Sequence, residues 1–172
     1  LIRELARSIH AATQARNIAF ARGDDSPEEI YIAALLYHLG ELAFWCFGGK
    51  SRDQLLKAMR QPHYEKEAAE RDILGFSLAQ LTAGLGRERQ RSPLLTDAIT
   101  HPRAAGKRGA NVILSYRLAM AAEKGWGDPE VERISEELAS LAGLNLERMV
   151  TQLHQNAHEA SQVAAYFGAA QA

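Results

Sequence analysis

The sequence predicts an all-α protein, a helical bundle with two additional helices at its C-terminal end. Apolar residues recur at helical spacing along the chain, and no stretch alternates between polar and apolar residues as a half-buried strand does. Glycine, proline and capping residues separate the segments, and these are the usual signals that start and stop helices. With 172 residues, the chain is long enough for one domain, or for one domain and a small appendage.

The first helix is predicted over about residues 2–22 and stops at the turn sequence of residues 23–25. The second is the most apolar segment of the chain, residues 28–47, which we expect to be one uninterrupted helix. Ser26 is its expected N-cap, and Glu29 closes an S-x-x-E capping box. Pro27 follows at the first helical position.

The same apolar run approaches the length that spans a bilayer. His38 and Glu41 lie near its centre, where ionisable groups are costly in a membrane. We therefore expect a buried central helix of a bundle and no membrane partner. Cys46 is the only cysteine, so no disulfide can form within the chain and a reducing, cytoplasmic location is expected. Cys46 itself is predicted to be a small core residue.

The later helices follow from the same start and stop signals. They are predicted over about residues 52–60, 64–74, 78–90, 93–101, 110–124, 129–143 and 145–167. Asp128 opens the first of the last two helices, and Asn145 caps the second. Residues 103–109 form a predicted basic loop that contains glycine.

Gly125-Trp126-Gly127 is the best candidate for a boundary, because two glycines flank an aromatic residue between long helical patterns. We therefore divide the chain into a core, residues 1–125, and a C-terminal extension, residues 126–172. The last helix has an apolar face that includes Met149, Leu153 and Phe167. This face is expected to pack onto the core, and docking onto another chain is the alternative.

Two short motifs were weighed as sites of chemistry. His154 and His158 lie four residues apart on one helix, a spacing that can chelate a metal when a third ligand converges. A solvated polar face is the alternative. The sequence Gly48-Gly49-Lys50-Ser51 ends like a phosphate-binding loop, but Phe44 stands where the first glycine belongs and a helix precedes it. A phosphate-binding loop is therefore excluded.

A run of basic side chains is the strongest local charge feature, since the formal net charge of the whole chain is only -1. Its members are Arg87, Arg89, Arg91, Arg103, Lys107 and Arg108. Such a cluster could bind a phosphorylated ligand or an acidic partner, and a solvated, charged loop is the alternative. The aromatic residues of a stacking surface are absent, so nucleic acid is not expected as a partner.

Five segments together carry a family resemblance. They are ATQARNIAFA at 12–21, AALLYHLGELA at 33–43, ERDILGFSLAQLTAGL at 70–85, SPLLTDAITHP at 92–102 and LSYRLAMAAEKGW at 114–126. In this order and spacing they resemble the C-terminal half of an HDOD domain, an all-helical bacterial signalling relative of the HD phosphohydrolases. The resemblance implies an HD-like bundle and a missing N-terminal helical half, and a chain that begins at Leu1 agrees with a fragment of something longer.

The resemblance also implies that the metal site is lost. Tyr37 and His38 stand where catalytic HD relatives have an adjacent His and Asp, and Leu78 and Tyr116 stand at two further ligand positions. Thr13 and Gln14 occupy the region of the first ligand, with His10 about one turn earlier. A His-His pair of the relatives corresponds to His101-Pro102. A first shell with so many vacancies is not expected to hold a metal, and no cofactor is predicted.

Two functions stay open at this stage. The first is a non-catalytic module of bacterial signal transduction and regulation, which contacts a protein partner or other domains of a larger signalling protein. The second is a hydrolase of the phosphodiesterase type, or a nucleotide-ligand-binding domain, that uses a remnant pocket. The candidate residues of that pocket are Tyr37, His38, Glu41, His101 and Tyr116. For His38, a hydrogen-bonded core histidine with Glu41 as its partner is the alternative to a ligand role. The oligomeric state cannot be predicted.

Overall fold

The computed structural model describes residues 2–61, 65–88 and 93–169, apart from the side chains of residues 87 and 88. These residues form ten helices and no strand, so the predicted all-α class is confirmed. The helices are α1 (Ile2–Ala21), α2 (Pro27–Leu36), α3 (Leu39–Phe47), α4 (Gly49–Met59), α5 (Lys66–Leu74), α6 (Leu78–Glu88), α7 (Pro93–Thr100), α8 (Gly106–Ala122), α9 (Pro129–Ala142) and α10 (Leu146–Tyr166).

Helices α1 and α8 form the centre of the bundle. Helix α1 packs against α2, α8 and α10, and α8 also contacts α2, α7 and α9. The side chains of Ala12, Ala15 and Ala19 are fully buried against α2, where Ile30 and Ala33 face them. Because these alanines are small, the two helix backbones can approach closely, and the interior keeps the dense packing of a protein core.

The two C-terminal helices pack onto this centre. Met149 and Leu153 of α10 and Ile134 of α9 are fully buried with Ile18 and Leu118 of the core. In the structure, this part of the apolar face of α10 packs against α1, α8 and α9. Phe167, by contrast, is 65% exposed. The division of the chain near residue 125 stays a prediction.

A smaller cluster lies under helices α3 to α6. It contains the buried side chains of Phe44, Leu55, Ala69 and Leu78. Helix α3 packs on α6, and α4 packs on α5. This arrangement places the start of α3 beside α5 and α6, which is important for the candidate site.

The predicted uninterrupted helix over residues 28–47 is wrong, because it breaks at Tyr37 and His38 into α2 and α3. The physical reason is a close approach between Gly40 and α6. The amide of Gly40 donates to Thr82 Oγ1 at 2.9 Å, whereas in a continuous helix it would donate to the carbonyl of Leu36. A Cβ atom at Gly40 would lie 2.5 Å from the Leu78 carbonyl oxygen, so only glycine fits here.

The predicted capping box at Ser26 is also wrong. Ser26 occupies the N-cap position of α2, with Pro27 following it as expected, but its side chain caps no amide. Its backbone amide instead donates to Asp24 Oδ1 at 3.0 Å. Glu29 is drawn away to Arg108, whose Nη2 lies 2.8 Å from Glu29 Oε2. The Glu29 side chain therefore forms a long-range ion pair with Arg108 and not the hydrogen bond to the Ser26 amide that a capping box requires.

The other boundaries are mostly close to the prediction. Asp128 accepts from the Glu130 amide at 2.9 Å, and Asn145 accepts from the Arg148 amide at 2.9 Å, so both predicted caps are confirmed. Helix α4 begins at Gly49 and not near residue 52, and α8 begins at Gly106 and not near residue 110. The basic loop is therefore shorter than predicted.

The apolar run is less buried than the sequence suggested. One segment of the described residues, Pro27–Phe47, is long and apolar enough to cross a membrane by composition, and 33% of its window is buried. This is weak evidence for a span, because the core helices of soluble proteins pass the same test. Cys46 lies on the outer side of α3 and is exposed, so its prediction as a core residue is wrong.

Candidate functional site

Three aromatic rings meet where α2 ends and α3 begins. The break in the helix presents Tyr37 and His38 to α8, where Tyr116 lies. The rings of His38 and Tyr116 stack with their centroids 3.8 Å apart and their planes 9° apart. Tyr37 lies edge-on, with its ring centroid 5.1 Å from that of His38 and 5.6 Å from that of Tyr116. We call these three side chains the aromatic cluster.

Glu41 adds a buried carboxylate beside the aromatic cluster. It is 5% exposed, and its Oε1 atom lies 3.4 Å from His38 Nδ1, as the sequence predicted for this pair. Lys66 at the start of α5 donates from its Nζ to the same oxygen. Burial by itself raises the pKa of Glu41, but the hydrogen bond from His38 and the charge of Lys66 outweigh it and hold the pKa at about 2. Glu41 is therefore an ionised, paired carboxylate at neutral pH.

Arg7 contacts the aromatic cluster through the hydroxyl group of Tyr116. Its Nη1 donates to the hydroxyl oxygen of Tyr116 at 3.4 Å and to Glu4 Oε1 at 2.9 Å. Its Nε donates to Glu123 Oε1 at 2.6 Å, and this bond is the main reason that the pKa of Arg7 is raised. Burial raises the pKa of Tyr116 and of Tyr37, so both phenols stay protonated over the physiological range.

Four of the five residues predicted for the remnant pocket lie close together. Tyr37, His38, Glu41 and Tyr116 lie together, whereas none of the described contacts joins them to His101. That residue is exposed at the end of α7, with its Nδ1 2.8 Å from Thr100 Oγ1.

Lys66 and Arg7 were not predicted as residues of this site. Both reach the site from helices that are distant along the chain, α5 and α1. Neither carries a local motif that could have placed it, because ion pairs across a bundle leave no spacing signal in the sequence.

The site does not have the donors that an HD-type metal centre needs. Within the described parts of the chain, no three His, Cys, Asp or Glu side chains converge. A hard divalent cation needs several oxygen or imidazole ligands, and two phenols held protonated by burial are poor substitutes. The single carboxylate, Glu41, already has the Lys66 ammonium beside it.

The structure describes the predicted basic cluster only in part. Arg89 and Arg91 lie outside the described residues, as does the side chain of Arg87. Arg108 is a structural residue, because its guanidinium bridges Asp24 and Glu29. The other two described members of the cluster, Arg103 and Lys107, are exposed.

The two histidines of α10 do not form a metal site with a third described ligand. His154 packs against Trp126, with a centroid separation of 4.0 Å. His158 Nε2 lies 3.1 Å from Gln162 Nε2. Trp126 also lies near His10, whose Nε2 is hydrogen-bonded to Gln14.

Comparison with known proteins identifies the family of this chain. The fold is an all-helical bundle, and the family model of the HDOD domain matches residues 3–104. Because this is more than half of the chain, the chain belongs to the HDOD domain family. The match lies in the N-terminal part of the chain, so the predicted correspondence to the C-terminal portion of such a domain, extended through Trp126, is corrected.

Two solved structures share the fold. A putative phosphohydrolase from Shewanella amazonensis has a TM-score of 0.71 at 20% identity, over 93% of this chain and 62% of that one. An HDOD domain protein with unknown function from Geobacter sulfurreducens has a TM-score of 0.74 at 18% identity, over 95% of this chain and 61% of that one. This chain therefore spans about three fifths of their length. Among curated proteins, none matches this chain.

Proposed function

We propose that this chain is a non-catalytic regulatory module of a bacterial, cytoplasmic signalling protein and acts through protein contacts. The observation that supports the proposal most directly is the state of Glu41. Its carboxylate is already neutralised by Lys66 and approached by His38, so a metal ion would have to displace a protein-borne cation. Only Glu41 of this pair is buried, and loss of Lys66 would be unfavourable because it removes a cation from a buried carboxylate.

The aromatic cluster supports the same conclusion. A catalytic centre of the HD type needs an open coordination position for water and substrate. Here the stacked rings of His38 and Tyr116 and the edge-on ring of Tyr37 occupy the space beside Glu41. Side chains that pack against each other in this way stabilise the junction of α2, α3 and α8 and leave little room for a hydrolytic reaction.

A metal and activity assay tests the loss of catalysis. The protein is incubated separately with Mg²⁺, Mn²⁺, Fe²⁺ and Ni²⁺, freed of unbound metal, and examined by elemental analysis and with a panel of phosphomonoesters and phosphodiesters. We expect far less than one metal per chain and no turnover above that of buffer. About one metal per chain that disappears in His38→Ala would contradict the proposal and favour the hydrolase alternative.

The contact surface requires a separate test. Arg103 and Lys107 are exposed cations near the turn between α7 and α8, whereas Arg108 is engaged in ion pairs. A partner identified by cross-linking in the native host is titrated against wild type and the Arg103→Glu, Lys107→Glu double variant. We expect weaker binding by the variant and a wild-type affinity that falls with added salt.

The matched control for this test is charge reversal at Lys124, an exposed cation elsewhere on the chain. Arg108→Glu is unsuitable as a surface variant, because it would break the bridge to Asp24 and Glu29 and so destabilise the fold. Equal affinity of wild type and the double variant at low salt would exclude the surface formed by Arg103 and Lys107.

A further inference from the structure

A cavity lies between the end of α1 and the first half of α10, and none of its lining residues belongs to the aromatic cluster. It has a volume of about 560 Å³, which is within the range of small-molecule sites. The residues that matter for its chemistry are Asn17, Phe20, Arg148, Gln152, Gln155 and Asn156. We call it the amide-lined groove.

The floor of the groove is held in place by a chain of buried amides. Asn156 donates from Nδ2 to Gln14 Oε1 at 2.9 Å, and Gln14 donates from Nε2 to the Leu153 carbonyl at 2.8 Å. Asn17 donates from Nδ2 to Asn156 Oδ1 at 2.9 Å and to Glu159 Oε2 at 2.8 Å. The chain ends at a carbonyl and a carboxylate, which can only accept, so the orientation of every amide in it is determined.

The rim of the groove carries groups that the fold does not use. Phe20 is 56% exposed although it is a large apolar residue on a well-packed helix. Arg148 is exposed, and no carboxylate among the described residues lies within ion-pairing distance of its guanidinium. Gln155 is exposed as well, with no side-chain partner in the described parts of the chain. An aromatic face, a cation and a free amide therefore surround one preorganised floor.

The charge of the lining residues favours an anionic ligand. None of its described lining residues is acidic, and Arg148 is the one lining residue with a charge. Glu159, which lies next to Asn17, is already paired with Arg16 at 2.6 Å. An anionic group is therefore favoured near Arg148, and a guanidinium binds phosphate oxygens well because its donors form a planar fork.

We propose that the amide-lined groove binds a nucleotide, with the base on Phe20 and the phosphate at Arg148. A heteroaromatic base stacks on an exposed aromatic ring. Side-chain amides offer both donors and acceptors, as the edge of a base does. The site is separate from the remnant pocket, because it is built by α1 and α10 and contains no residue of the aromatic cluster.

The proposal is tested by titrating the protein with AMP, GMP, CMP and UMP, and with the corresponding nucleosides, in an NMR or calorimetric experiment. We expect saturable binding of at least one nucleotide and weaker binding of its nucleoside. Arg148→Ala should weaken nucleotide binding about tenfold and leave nucleoside binding unchanged. Phe20→Ala should weaken both by about tenfold, because stacking does not depend on the phosphate.

Two variants serve as matched controls. Phe47→Ala removes a phenylalanine that is 87% exposed on α3, and Arg3→Ala removes an exposed arginine on α1 outside the groove. Neither should change the affinity. The proposal is overturned if no monophosphate saturates the protein up to about 1 mM, if Arg148→Ala and Arg3→Ala act alike, or if only an acidic peptide binds. Gln155→Ala, an exposed position, provides a second variant of the groove should Phe20→Ala fail to fold.

Discussion

At the scale of single residues, Gly40 decides how the central apolar segment is built. A Cβ atom there would lie 2.5 Å from the Leu78 carbonyl oxygen and 2.6 Å from Thr82 Oγ1. We expect Gly40→Ala to destabilise the protein by about 1 to 3 kcal/mol, since α3 and α6 would have to separate. Chemical denaturation at neutral pH measures the change.

Gly84 is the control for Gly40. It lies inside α6, and a Cβ atom there would meet nothing within 4 Å. Because alanine is the better helix former, Gly84→Ala should stabilise the protein by about 0.5 to 1 kcal/mol. Equal effects of the two substitutions would show that α6 does not restrict position 40.

His10 gives the fold a sensitivity to acid. Burial lowers the pKa of His10 from 6.5 to about 4, although Glu123 opposes this shift. The unfolded chain therefore takes up a proton below about pH 6.5 that the folded chain takes up only near pH 4, so stability is lost as pH falls through this window. Between pH 7.5 and pH 5 we expect a loss of about 2 kcal/mol.

The measurement is urea denaturation at several pH values, compared with His10→Asn. The variant should lose most of the pH dependence between pH 5 and pH 7.5, whereas His158→Asn, at an exposed position, should retain it. An NMR titration of His10 with a midpoint above pH 6 would contradict the explanation. The hydrogen bond from Gln14 agrees with a neutral ring, because an amide donor needs an acceptor at Nε2.

At the scale of helices, the three predicted N-cap residues differ in whether their side chains accept a hydrogen bond from a backbone amide. Asp128 and Asn145 each accept a backbone amide, whereas Ser26 accepts none. We expect Asp128→Ala and Asn145→Ala to cost about 1 kcal/mol each and Ser26→Ala less than about 0.5 kcal/mol. Thermal denaturation of the three variants ranks them, and a cost at Ser26 equal to the others would contradict the described start of α2.

The same comparison explains how much of the fold could be predicted. The caps at Asp128 and Asn145 were found because capping is decided by residues within one turn. The break at Tyr37 and His38 was missed because its cause, the contact of Gly40 with α6, joins positions about forty residues apart in sequence. Local periodicity carries no information about such a contact.

The residues of the candidate site also differ in whether the sequence alone could identify them. Tyr37, His38 and Glu41 could be named from one short segment, and Tyr116 from its place in a family pattern. Lys66, which neutralises Glu41, could not be named, because an ion pair between distant helices depends on how the bundle closes. The sequence therefore identifies the side chains around Glu41 but not the cation that pairs with it.

At the scale of the whole molecule, the family match and the structural unit do not coincide. The match covers residues 3–104, which hold α1 to α7. Helix α1, however, buries one face against α8 and another against α10, both of which lie beyond residue 104. The part of the chain that the family model recognises therefore contains α2 but lacks α8 and α10, two of the three helices that pack most extensively on its central helix α1.

Removal of the last two helices should consequently disrupt the core and not merely shorten the protein. A chain ending at Gly125 exposes Ile18 and Leu118, which α9 and α10 cover, and leaves the buried amide of Gln14 without its Leu153 and Asn156 partners. Lost apolar burial and unsatisfied polar groups both oppose folding. We expect this chain to show no cooperative thermal transition by circular dichroism and to bind a dye for exposed apolar surface.

Leu153→Ala in the full chain provides the graded comparison. Leu153 is fully buried between α10 and the core, so its truncation should cost about 2 to 5 kcal/mol while the transition stays cooperative. If the chain ending at Gly125 unfolds as sharply as the full chain, then α9 and α10 are an appendage on an independent core. The polar chain from Gln14 to Glu159 makes that outcome unfavourable, because three of its five residues belong to α10. Without that helix, Gln14 Oε1 and Asn17 Nδ2 lose the partners they have here.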